Sequence, residues 1–151
     1  MNLSKERIQL NQSFHDWKDA LTKIGVWATN QGWVKEGFIE SMIKRQELMS
    51  VYIGNFVALP HGEAEFVIKE GILFVQVPDG VNFGTEEEPK IATALFVVMA
   101  KKEQQLPILQ ELAFFCAEIE QVIMLSDVKT VSEVQGILGT STMEISENQL
   151  E

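Results

Sequence analysis

"MIKRQELMSVYIGNFVALPHG", residues 42–62, changes its hydrophobic period half-way along. Phe38, Ile39, Met42 and Ile43 recur at the three-and-four spacing of a helix, predicted over residues 35–47. From 51 to 59 the chain takes on strand character, and Phe56-Val57-Ala58-Leu59 reads as a short buried strand that Pro60 ends. His61 and Gly62 follow where that strand runs out. A helix that runs into a buried strand is the unit of an α/β fold, so the rest of the chain is to be tested for more of the same.

It supplies them. "RIQLN" (7–11) alternates like a short edge strand, and Trp17, Ala20, Leu21, Ile24, Trp27 and Ala28 fall on one helical stripe that should stop at Gly32. "GILFVQV" (71–77) and "IATALFVVMA" (91–100) read as central strands, with the turn between them at "PDG" (78–80). A third helix should follow the polar run "KKEQQ", with Pro107 in its first turn and Leu106, Leu109, Leu112, Ala113 and Cys116 inward. The last helix opens with a capping box, Thr130 to Glu133, and Gly139 closes it. The expected architecture is a mixed central β-sheet flanked by helices on both faces, one domain over residues 1–140, with 141–151 a flexible tail. Such sheets present reactive groups at strand ends, where His61 lies.

Composition narrows the function. The chain has 151 residues, 46% of them hydrophobic, and a formal net charge of −10. A protein that displaces counterions from phosphates needs the opposite charge, which argues against nucleic acid and anionic membrane surfaces. No apolar run approaches the ~20 residues of a membrane span, and "MNLSKERIQLNQ" lacks a secretion signal. A single cysteine, Cys116, excludes an intrachain disulfide, so a cytoplasmic protein is expected. Cys116 reads as a buried small hydrophobe and His15 as a surface or capping residue.

That leaves His61. No local His/Cys/Asp/Glu spacing supplies metal partners, and no GxSxG motif supports a hydrolase triad. No metal or cofactor is expected. The remaining chemical use is nucleophilic: an imidazole can carry a phosphoryl group if cations or N–H donors hold the oxygens. Read from periodicity alone, a satisfied structural histidine remains the competing reading.

In register with its neighbours, His61 gains a context. Arg45 in a helix, then Tyr52, Gly54, Asn55, Ala58, Pro60, His61 and Gly62 in order, resemble the active-site segment of the mannitol/fructose-type IIA proteins (EIIA) of the bacterial phosphoenolpyruvate:sugar phosphotransferase system. "GILFVQVPDGVNFG" (71–84) and "LPILQELAFFCAEIEQV" (106–122) are similar to the segments that follow, the latter to a single helix, and the wording fits the mannitol branch best. The resemblance covers the chain to about Leu138. It implies that His61 accepts a phosphoryl group from the phosphocarrier protein HPr and passes it to a cysteine of a permease IIB domain. It implies further that Arg45 presents its guanidinium to the phosphoryl oxygens, that Gly62 lets backbone approach the phosphate, and that Asn55 supports the site.

The chain also departs from the family. A second histidine, usual ahead of the third helix, is replaced by Gln105 within "EQQLPIL" (104–109 carries "QQLPIL"), and Glu63 stands where many members have threonine. Glutamine donates an N–H but holds no positive charge. The expectation is a phosphotransferase component slowed by that loss. An alternative is a IIA-like regulatory module that binds a partner according to its phosphorylation state, and a third is a scaffold with the fold and no transfer.

Overall fold

The alternation of helix and strand runs through the computed structural model, which describes residues 1–140. Its elements are β1 (Ile8–Gln9), α1 (Trp17–Asn30), α2 (Gly37–Leu48), β2 (Tyr52–Gly54), β3 (Val57–Ala58), β4 (Gly71–Asn82), β5 (Ile91–Met99), α3 (Lys102–Cys116), α4 (Ile119–Asp127) and α5 (Val131–Gly139). The strands form one sheet in the order β1-β4-β5-β3-β2. β1 runs parallel to β4 and β3 parallel to β5, while β4–β5 and β2–β3 are antiparallel. This is the mixed sheet with helices on both faces that the sequence predicts.

Strand period splits the apolar residues between two cores. Ile72, Phe74, Ala94, Phe96 and Val98 face α3, α4 and α5, with Leu112, Val122 and Leu138. Their neighbours Leu73, Val75, Leu95 and Val97 face α1 and α2, with Leu21, Ile24, Phe38 and Met42. Both central strands are therefore buried on two faces, which is why they read as near-continuous apolar runs. The helix ends also follow the sequence. Asp16 caps α1 by accepting from the Asp19 N–H, and Thr130 and Glu133 form the expected capping box on α5. Gly32, at φ 79°, ends α1 in a Schellman arrangement, with Trp33 N–H donating to the Ala28 carbonyl and Gly32 N–H to that of Thr29.

Four expectations are corrected. "PDG" is not the turn: β4 continues through it to Asn82, and the register shifts between Gln76 and Val81. Val77, Pro78, Asp79 and Gly80 stand opposite the single residue Thr93, so three extra residues bulge from β4, with Gly80 at φ 81°, and the reversal falls in residues 83–90 under the Asn82 side chain, which accepts from the Gly84 and Lys90 N–H groups. Residues 51–59 are not one strand but a hairpin, with Asn55 and Phe56 both at positive φ in its tip. The polar run "KKEQQ" is helical, since Lys, Glu and Gln are good helix formers, so α3 starts at Lys102 and Pro107 lies in its second turn. The inward residues accordingly shift to Ile108, Leu112, Phe115 and Cys116, and Leu106 is exposed. Finally, 106–122 is two helices: Glu118 is extended between α3 and α4. No glycine or proline marks that break, which left it unreadable. The expectation for the tail, 141–151, lies outside the described residues.

Candidate functional site

His61 is placed by the sheet. Leu59 N–H donates to the Val51 carbonyl, and Val98 N–H to the Pro60 carbonyl, so the chain stays alongside β5 beyond β3. His61 itself bridges to Val98 in parallel. Pro60 thus does not stop the pairing. It removes one donor while its own carbonyl continues it. The imidazole turns back, with Nδ1 2.9 Å from the Leu59 carbonyl oxygen. A carbonyl only accepts, so Nδ1 carries the proton and Nε2 keeps a free electron pair.

Opposite stands α2. Ser41, Lys44, Arg45 and Leu48 succeed one another at i, i+3, i+4 and i+7, a single stripe, and all four line a cavity of about 300 Å3 together with His61, Gly62, Glu63 and Gln105. Arg45 lies in the last turn of α2, where a cation is favoured by the helix dipole, and its Nη1 donates to the Met49 carbonyl. That anchors one edge of the guanidinium while the residue remains part of the cavity wall. Half-burial of the imidazole holds the His61 pKa below its ordinary value, and the positive charge of Arg45 pushes the same way. The Leu59 hydrogen bond acts in the opposite sense and does not overcome them. The ring is therefore neutral at pH 7, the state in which Nε2 can act as a nucleophile.

The other residues singled out from the sequence divide. Gln105, in the first turns of α3, lines the cavity, but its Nε2 donates to the Gly62 carbonyl oxygen at 2.8 Å. Gly62 lines the cavity too, yet the need for glycine has a packing origin. A Cβ there would stand 2.4 Å from the Ser41 Oγ and 3.0 Å from the Phe38 ring. Asn55 is not in the cavity: its Nδ2 donates to the carbonyls of Cys116 and Ala117, tying the β2–β3 hairpin to the end of α3. Its support is of the frame rather than of the imidazole. Cys116 is buried, with its thiol pKa pushed up to about 12 by that burial, and is no nucleophile. His15 is exposed beside the Asp16 cap, and its N–H donates to the Asp19 carboxylate. Among the described residues no group of three or more His, Cys, Asp or Glu side chains is placed to hold a metal ion.

Three contributors were missed in the sequence. Ser41 donates to the Phe38 carbonyl and accepts from the Glu63 N–H, so it pins the backbone just after His61. Buried Gln46 joins the end of α2 to Phe83 and Val51. Lys44 shares the wall with Arg45. The α2 stripe at 41, 44, 45 and 48 is the signal that would have found Ser41 and Lys44, since a polar stripe adjoining a buried one marks a helix face turned to a cleft.

The fold and the site's sequence frame define a class. Residues 1–140 match the family "Phosphoenolpyruvate-dependent sugar phosphotransferase system, EIIA 2", and the chain belongs to that family. Within it, the chain is 43% identical over 136 residues to the mannitol-specific phosphotransferase enzyme IIA component of Enterococcus faecalis, covering 88% of this chain and 94% of that one. It is 34% identical over 138 residues to the protein of the same description from Bacillus subtilis, covering 89% and 94%. Among solved structures it resembles IIA mannitol from Escherichia coli, with TM-score 0.83 and 28% identity over 91% of this chain and 99% of that one. It resembles equally the complex of enzyme IIAMTL with phosphorylated enzyme IIBMTL from Escherichia coli, with TM-score 0.84 and 26% identity over 92% and 98%. The mannitol branch that the sequence suggested is thus the one its relatives occupy.

Proposed function

We propose that this protein is a phosphohistidine carrier of the phosphotransferase system, working in the cytoplasm between HPr and the IIB domain of a mannitol permease. The observation that carries the proposal is that Nδ1 of His61 is held by the Leu59 carbonyl beside a cavity that His61 and Arg45 both line, which leaves Nε2 as the ring's free electron pair. Among the described residues no helix is long and apolar enough to cross a membrane.

The Nε2 electron pair of neutral His61 attacks the phosphorus of phosphorylated HPr, a new N–P bond forms, and the donor's N–P bond breaks with its electrons returning to the donor ring. The His61 proton stays on Nδ1 against the Leu59 carbonyl, which takes up the positive character the ring acquires. Arg45 offers fork-shaped N–H donors to the phosphoryl oxygens as they arrive. In the onward step a IIB thiolate attacks the same phosphorus and His61 leaves with its Nε2 pair restored. Gln105 supplies no charge here, and with one N–H on Gly62 it steadies the loop rather than replacing an imidazolium. Transfer slower than in a two-histidine site follows, and Gln105→His is expected to quicken it.

The test is reconstitution with phosphoenolpyruvate, enzyme I, HPr and membranes carrying the mannitol IICB permease. Phosphorylated mannitol should appear with the wild type and not with His61→Ala. A protein that takes the label but releases none to IIB, on a time scale of minutes, would be the regulatory module instead.

A further inference from the structure

Lys44 belongs to two cavities at once. In the first its companions are Arg45, His61 and Gln105. The second, of about 360 Å3, adjoins it and counts three acidic residues, Glu40, Glu63 and Glu65, in its lining. Lys44 therefore stands on the partition between a site built for an anion and a site that is itself anionic. Glu40 precedes it by four residues on α2, the favourable order for a helical pair, yet among the described residues no carboxylate lies within ion-pair distance of its ammonium. Its side chain is exposed and has four rotatable carbons, so both cavities are within its reach.

The charge balance of the first cavity needs it. A phosphoryl dianion on His61 would meet one guanidinium, that of Arg45, already sharing an N–H with Met49. It would also meet the Glu63 carboxylate, which lines the same wall and opposes it. With Gln105 neutral and engaged at Gly62, one positive charge faces three negative ones. Resting on the phosphocarrier reading above, we propose that Lys44 is a second phosphoryl ligand, in ion-pair contact with no carboxylate of the described residues while His61 is bare and turning to the phosphoryl oxygens once His61 is charged. No ion pair has to break for that turn, so the residue favours the loaded form.

The experiment is the equilibrium partition of phosphoryl between HPr and this protein, read with the 31P titration of the phosphohistidine. Lys44→Gln should shift the partition toward HPr by about three- to ten-fold, the range for a charge-assisted contact in a partly open site. It should also raise the pH at which the phosphoryl dianion takes up a proton. Lys44→Arg should restore both, an outcome that a merely structural role for the side chain would not produce. Equal partition and equal titration for Lys44→Gln and wild type would overturn this inference and leave the carrier reading standing. A wild type that accepts no phosphoryl from HPr would overturn both.

Discussion

At the scale of the residue, the proposed phosphoryl acceptance turns on the protonation of one ring. Burial and Arg45 hold the His61 pKa below its ordinary value of 6.5, so phosphoryl acceptance should be level around pH 7 and fall only as pH drops below 6.5 toward the folded value. An NMR titration of the ring should place its midpoint under 6.5; a midpoint above it would contradict the assigned environment. The same shift has a consequence for stability. Below pH 6.5 the unfolded chain binds the proton first, so the stability that the neutral ring contributes is present above that pH and is lost as pH falls toward the folded pKa. Arg45→Gln should leave the fold intact and lower the rate of acceptance by about 10²–10³-fold, the usual effect of removing a donor from developing charge. As wall residues of one cavity, His61 and Arg45 were legible because the order of residues from 45 to 62 is distinctive. Ser41, Gln46 and Gln76 were not. Gln76 is buried in the middle of β4, its amide shared among the carbonyls of Leu125, Ser126 and Val128, and nothing in a strand's own letters announces partners about fifty residues away.

At the scale of the element, the site is the meeting of α2 with the chain beyond β3. Gly62→Ala would press a methyl into Ser41 and Phe38, and we expect it to cost about 1–3 kcal/mol in denaturant unfolding, as overpacking does. Because the nearest clash is with the hydroxyl, Gly62→Ala with Ser41→Ala should lose less than the two losses added together, and strict additivity would contradict the packing explanation. Element existence was readable from period for α1, α2, β4, β5 and α5. Two of the misreadings share one cause: a local signal was overruled by a partner. "PDG" became a bulge because β5 offered pairing on both sides of it, and residues 51–59 became a hairpin because Phe56, in the tip, gives its carbonyl to the Thr93 and Ala94 N–H groups. Both outcomes are tertiary and lie beyond what a window of ten letters holds.

At the scale of the whole molecule, the sheet's two buried faces leave the cavity beyond the end of β3, rimmed by residues that the core does not claim. Leu48 on α2 is 83% exposed and Leu106 on α3 is 63% exposed, each one position along from, or within, the cavity wall. Apolar side chains this bare beside an anion site fit a surface that docks other proteins while shielding the transferring group from water. Leu48→Asp and Leu106→Asp should therefore raise the KM for HPr several-fold, with thermal unfolding little changed since neither side chain is buried. An unaltered KM for both would remove that rim from the docking face. The acidic charge of −10 argued against whole classes of partner from composition alone, but it did not locate this rim, because exposure is a property of the assembled fold.

The most direct measurement is the site of phosphorylation itself. The protein labelled with 15N in its histidines, charged by phosphoenolpyruvate, enzyme I and HPr, and observed by heteronuclear NMR, should show phosphorus bonded to Nε2 of His61 with the proton retained on Nδ1. Phosphorus on Nδ1, on another residue, or on none would contradict the assignment of this cavity as the place where the phosphoryl group rests.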